Sequence, residues 1–222
     1  MYKTTFTLAL SALALFSGTD IQSGPGSQFT QETMILEYSA TLHQAEVIVE
    51  AECEEALDRV EILGPSGAPI LKLQTRGNQG LSISGLRLEC GESSLPVLCA
   101  SCPPGEYQIR ARSMSGRTVQ GSASFDHQLV AAPVITHPLA GAAGVASSNL
   151  VIDWIPDPQA VGYAIDLEQD ENDGLKANLK AGANSFQVPA GVLAPNTPTR
   201  LEIQAIAPNG NRTTSEIRFT TL

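Results

Sequence analysis

The stretch Asn149-Leu-Val-Ile-Asp-Trp-Ile-Pro-Asp-Pro-Gln-Ala-Val-Gly-Tyr163, continued through Ala164-Ile-Asp-Leu167, decides the fold. Leu150, Ile152 and Trp154 fall on one face of an extended segment, and Tyr163, Ile165 and Leu167 repeat that alternation on the next. Large apolar residues at period two are the pattern of half-buried strands. Two antiparallel strands with the Trp154 side chain inside are therefore predicted.

The same pattern extends outward on both sides. Towards the C-terminus, strands are predicted at residues 161–169, 175–180, 185–188, 200–207 and 213–221, with residues 134–139 and 149–155 before them. Leu201, Ile203 and Ala205 point into the core, Arg200, Glu202 and Gln204 point out, and Ile217 and Phe219 close the core from the last strand. Upstream, Ala131-Ala132-Pro133 is a linker too short to let two modules swing widely. Before it, Met34-x-Leu36-x-Tyr38, Val47-x-Val49-x-Ala51, Val60-x-Ile62, Leu71-x-Leu73, Leu81-x-Ile83, Tyr107-x-Ile109-x-Ala111 and Val119 to Phe125 predict seven short strands. Leu86 and Leu88 have switched parity across Gly85, which predicts a bulge or bend there. Ser113-Met114-Ser115-Gly116 is the clearest hairpin turn.

Composition agrees with an all-β chain. Of 222 residues only 16% are charged, and 19 Gly with 14 Pro punctuate the sequence at short intervals. A net charge of −10 with only 13 Lys and Arg argues against a nucleic-acid partner, since phosphate binding needs clustered cations. Residues 1–18 read as a signal peptide: Lys3 supplies the positive start, and Phe6 to Phe16 is apolar but far short of the roughly 20 residues of a membrane span. Residues 19–28, with Ser23-Gly-Pro-Gly-Ser27, read as a flexible leader. The expectation is a secreted or periplasmic protein with no membrane insertion after cleavage, residues 29–132 forming one β-sandwich and residues 133–222 a second.

The second domain resembles a fibronectin type III domain over its whole length. Pro133-x-Ile135-x-x-Pro138, Trp154, Tyr163-x-Ile165-x-Leu167, Leu193-x-Pro195-x-Thr197, Leu201-x-Ile203-x-Ala205 and Phe219-Thr220-Thr221 fall in the family's order. The resemblance implies two tandem immunoglobulin-like β-sandwiches, the second of fibronectin type III type, with Trp154, Tyr163, Leu201, Ile203 and Phe219 as its defining core. It departs at the family's corner tyrosine, which falls at Thr199. In the first domain, Gly105-Glu106-Tyr107-x-Ile109-x-Ala111, Gly121-x-Ala123-x-Phe125-x-His127 and the Ala132-Pro133 junction resemble a group of secreted bacterial proteins of unknown function with a C-terminal fibronectin type III domain. That resemblance implies architecture and brings no catalytic motif.

All four cysteines, Cys53, Cys90, Cys99 and Cys102, lie in the first domain, and four cysteines in an exported chain predict disulfides. The preferred pairing is Cys53–Cys90 with Cys99–Cys102, while a bridge from Cys90 into the 99–102 segment stays open. Cys99-Ala-Ser-Cys102 lacks the βαβ setting of a redox motif, and ligand spacing is poor for zinc. The acidic turn Glu168 to Gly174 offers oxygens for calcium but reads better as a solvated hairpin. His43, His127 and His137 fall outside any catalytic motif, and Gly80-Leu-Ser82-Ile-Ser84 lacks the last glycine of a nucleophile elbow. Glu54 and Glu55 are adjacent and point apart on a strand, and Arg110, Arg112 and Arg117 read as a solvated face. No catalytic, metal or cofactor-binding residue is assigned and no cofactor is expected. The function predicted is a non-catalytic binding or structural module with a protein or glycan partner, the alternative being a secreted hydrolase or its accessory module.

Overall fold

The computed structural model describes residues 28–75, 82–91, 94–169 and 172–222. The signal-peptide and leader segments therefore lie outside the described residues, apart from Gln28. The first half contains β1 (Gln31–Ser39), β2 (Gln44–Leu63), β3 (Pro69–Gln74), β4 (Ile83–Glu89), α1 (Leu95–Ser101), β5 (Gly105–Ser113) and β6 (Thr118–Phe125). β7 (Val134–His137), β8 (Val151–Ile155), β9 (Gly162–Gln169), β10 (Asn172–Lys180), β11 (Ser185–Gln187), β12 (Pro198–Ile206) and β13 (Arg212–Thr220) make the second half. Each of the seven strands predicted there is present, with ends moved by a few residues.

The second half is a sandwich of the sheet β11-β8-β7 against β10-β9-β12-β13. Its core is built as the alternation requires: Trp154, Tyr163, Leu201, Ile203 and Phe219 lie in one buried cluster with Leu150, Ile152, Ile165 and Leu167. The Trp154 and Tyr163 rings meet at 5.6 Å between centroids, tilted by 56°, within the range of favourable aromatic pairs. The Tyr163 hydroxyl is used twice at the sheet edge, accepting from Asp157 N at 2.9 Å and donating to Asp157 O at 3.2 Å. His137, read as a linker residue, instead pairs with Asp153 at the end of β7.

The first half corrects the sequence reading in two places. The strands predicted around 47–51 and 60–62 are one strand, the 20-residue β2. Its first part pairs with β1 and β4, its last part with β3 and β5, so one bent strand serves both layers. The bend shows as a break in register with β4 between Glu52↔Gly85 and Leu57↔Ile83, beside the glycine where a kink was expected. Two buried clusters fill the space between the layers: Met34, Leu36, Val47, Val49, Ile62, Tyr107 and Phe125 in one, and Phe29, Cys53, Leu57, Val60, Ile109 and Val119 in the other. A Cβ on Gly121 would lie 3.0 Å from the Phe29 ring, so glycine lets β6 approach the chain ahead of β1.

The second correction is the short helix α1. Pro96 stands in its first turn, where the missing N–H costs nothing, and Leu98 is its buried anchor on the core. Seven residues are too few to show a 3.6 period in the sequence.

The two sandwiches are joined into one sheet. β1 of the first half pairs in parallel with β13 of the second, through Glu37↔Arg212, Tyr38↔Thr213 and Ser39↔Thr214. A ten-stranded sheet therefore crosses the boundary between them.

Candidate functional site

The cysteines do not pair as expected, and all four are free thiols. Register gives the reason for Cys53–Cys90. β4 aligns Glu89 with Ile48, and Cys90 N donates to Val47 O at 3.0 Å. Cys53 stands six positions further along β2, about 20 Å away at strand rise, whereas a disulfide needs its Cα atoms within about 7 Å. Cys53 is instead buried in the second core cluster of the first half. The other three cysteines lie just after β4 and in or at the end of α1. Cys99 lies in α1 and Cys102 caps its C-terminus, with Cys102 N donating to Leu98 O at 2.9 Å. Burial, followed by the neighbouring Cys90 and Cys99 thiols, pushes the Cys102 thiol up. Burial and the Cys102 and Cys90 thiols together push the neighbouring Tyr107 phenol up to about 12. The Tyr107 hydroxyl donates to Pro103 O at 2.8 Å, and His127 Nε2 lies 2.7 Å from Cys102 O.

Most remaining sequence candidates are dispersed or occupied. Arg112 is paired with Asp58 and Arg117 with Glu55, and Arg110 donates to Gln108. His43 sits in the β1–β2 turn, 3.4 Å from the Tyr38 hydroxyl. Asp170 and Glu171 of the acidic turn, and Gly80 with Leu81, lie outside the described residues. Among the described residues no group of three or more His, Cys, Asp or Glu is placed to hold a metal ion.

Sequence reasoning missed the polar seam where β1 meets β13. Asn211, only 1% exposed, stands one residue before β13 and continues its ladder with a side chain. Its Oδ1 accepts from Leu36 N at 2.8 Å, while its Nδ2 donates to Asp126 O and to Gln128 O, each at 2.9 Å. Thr213 Oγ1 donates to Val130 O at 2.8 Å, and Thr41 Oγ1 accepts from Glu216 N at 2.9 Å. Even the linker is fastened, with Ala131 N donating to Asp157 Oδ2 at 2.6 Å.

Arg200, Glu202 and Gln204 point away from the apolar core, as expected, yet they are buried by the side chains around them. Register lines up Lys176, Asp166, Glu202 and Glu216 across β10, β9, β12 and β13. Arg200 holds this row together through Glu168 at 2.8 Å, Glu202 at 2.8 Å and Glu216 at 3.3 Å. Burial raises the affinity of Asp166 and Glu202 for a proton, against the pull of Lys176 and Arg200 respectively. Lys176 Nζ sits 3.2 Å from Asp166 Oδ2 without good hydrogen-bond alignment, so that carboxylate is only partly compensated. At the seam end, Gln204 Nε2 donates to Glu37 Oε1 at 2.9 Å and Arg212 Nη1 is 3.8 Å from Glu37. Burial pushes the Glu37 carboxyl up to about 7, with Arg212 opposing and Glu202 and Glu46 reinforcing.

At the corner leading into β12, a glutamine and two threonines tie the chain together. Gln169 Oε1 accepts from Ala194 N at 2.7 Å, and its Nε2 donates to Thr199 Oγ1 at 2.8 Å. Thr221 Oγ1 donates to Ala194 O at 2.7 Å and accepts from Thr197 N at 2.9 Å.

No family model and no curated protein matches the chain. Among solved structures it is similar to the fibronectin(III)-like modules of Clostridium thermocellum CbhA, at 8% identity over 87% of this chain and 92% of that one, TM-score 0.35. It is also similar to the FN1–FN3 domains of chicken CNTN1, at 13% identity over 89% of this chain and 65% of that one, TM-score 0.37. A two-domain fibronectin type III segment of chicken tenascin is similar at 9% identity over 87% of this chain and 96% of that one, TM-score 0.34.

Proposed function

We propose that the protein is a non-catalytic, secreted or periplasmic module of two domains, residues 29–132 and 133–222, that holds two binding surfaces at a fixed angle for a protein or glycan partner. The observation that carries this reading is the sheet continuous through β1 and β13, with the buried hydrogen bonds of Asn211 fixing it. Domains joined only by a linker reorient freely, whereas a shared sheet locks their loops and edges relative to one another. Loops and edges on a rigid scaffold are where such modules make their contacts. The N-terminal residues 1–18 support export.

The test presents the purified protein to a glycan array and to cross-linked envelope and culture extracts, with parallel assays on ester, glycoside, peptide and phosphate substrates. Saturable binding of a defined partner, without turnover, is the expected result. Turnover abolished by one His or carboxylate substitution would overturn the reading in favour of a hydrolase.

A further inference from the structure

The outer face of the sheet β3-β2-β5-β6 carries a set of side chains that nothing above uses. Register fixes their places. Arg59 lies opposite Gln74 of β3 and Arg112 of β5, while Glu61 lies opposite Lys72 and Arg110, with Gln120 beyond Arg110 on β6. Arg59 and Arg110 are thus diagonal neighbours on adjacent strands, about 7 to 8 Å apart. The carboxylates around them are matched elsewhere: Glu61 by Lys72 at 2.7 Å, Asp58 by Arg112, and Glu55 by Arg117 at 2.7 Å. Glu106 stands away from them near the start of β5, opposite Ser124. Arg59 and Arg110 are both exposed, and neither has an ion pair among the described residues. Arg110 Nη2 donates to Gln108 Oε1 at 2.7 Å, which leaves the Gln108 amide N–H groups free to donate. Among the described residues the outward positions of these strands carry no aromatic ring and one large exposed apolar side chain, Ile70 near the start of β3.

We propose that this face binds an acidic polysaccharide, a chain of uronic-acid sugars, with Arg59 and Arg110 each taking a carboxylate and Gln74, Gln108 and Gln120 reading hydroxyls. The assignment rests on the non-catalytic binding reading above and names its ligand class. A guanidinium fork fits a carboxylate with two parallel hydrogen bonds, and a primary amide both donates to and accepts from a hydroxyl. A protein partner would want an apolar centre with large anchors, and the middle of this face has none. A neutral sugar chain offers hydroxyls and apolar C–H faces, and there is no ring here to pack on the latter. A densely sulfated chain would press against Glu61 and Glu106 as well. A uronate chain spaces its charges with hydroxyls between them, the same alternation of Arg and Gln that register builds on the sheet. The whole chain carries −10, so attraction to a polyanion has to come from local contacts and should weaken with salt.

The experiment follows the full chain by affinity electrophoresis through gels holding polygalacturonate, alginate, dextran sulfate, single-stranded DNA or neutral dextran. Retardation by a polyuronate that fades as salt is raised, with none by dextran, is expected. Arg59→Gln with Arg110→Gln should lower the affinity about tenfold. Lys180→Gln with Arg218→Gln removes the same charge from the second sandwich and should leave the affinity unchanged. All four side chains are exposed, so both variants should keep the parent's melting temperature. Equal affinity in the arginine variant and the parent, an equal loss in both variants, or tighter binding of dextran sulfate or DNA would overturn the assignment. Retardation by neither polyuronate would overturn it too, while a partner captured on the glycan array or from extracts would keep the binding reading standing. Release of reducing ends from a polyuronate would instead overturn the binding reading itself.

Discussion

Around Trp154 the second sandwich is held by interlocking apolar side chains, with Tyr163, Leu167, Leu201 and Ile203 at or near zero exposure. Where β1 meets β13 the contact is polar: an asparagine, threonines, a glutamate and backbone groups meet at defined distances. Apolar burial is non-directional and scales with area, so the first region supplies stability without dictating orientation. Hydrogen bonds are directional and costly when left unmade in a buried place, so the second region sets how the sandwiches sit together. The core makes each half fold, and the seam makes the two halves one body.

The largest effect should come from the core. Trp154→Ala removes the biggest side chain packed on Tyr163, and urea denaturation should show a loss of about 3 to 5 kcal/mol. A loss well below 1 kcal/mol would place the indole outside the packing described.

Asn211→Ala tests the seam directly. It strands the Leu36 N–H and takes a donor from the Asp126 and Gln128 carbonyls, so a loss of about 2 to 4 kcal/mol is expected from buried groups without partners. If the same denaturation series shows no change, water replaces the side chain and the seam is not dry.

Smaller still is the contribution of Glu37. Its carboxyl is raised from 4.5 to about 7 in the folded protein, so the folded state keeps a proton that the unfolded chain releases. The stability this supplies is fully present below about pH 4.5 and is lost as pH rises through 7, a change of about 1 to 3 kcal/mol. Glu37→Gln keeps an acceptor for Gln204 and removes the titration. The variant should therefore be more stable than the parent at pH 8 and show a flatter profile from pH 5 to 8. Identical profiles for the two proteins would mean that Glu37 is solvated.

These contrasts explain what could be read in the sequence. Leu150, Ile152, Trp154, Tyr163, Ile165 and Leu167 announce a face by alternation, and alternation survives whatever packs against it. The same rule reported Arg200, Glu202 and Gln204 as facing away from the core, which they do, but it carries no information on what covers that face. Asn209-Gly210-Asn211 reads as a turn between two strands, so the seam is invisible in it: the partners of Asn211 are Leu36, Asp126 and Gln128, remote in the chain. In β2, the polar Glu52, Glu54 and Glu55 break the apolar pattern, which makes one bent strand look like two. Cysteine spacing was equally mute, because the distance between Cys53 and Cys90 is set by the β2–β4 register.

The most direct test of a single body uses two internal reporters in one urea series. Trp154 is the only tryptophan and lies in the second core, while buried Cys53 lies in the first. Tryptophan fluorescence and the alkylation of Cys53, followed on its own peptide by mass spectrometry, should give coincident transitions with the same midpoint. Two separated midpoints, with Cys53 exposed while Trp154 remains native or the reverse, would contradict the account.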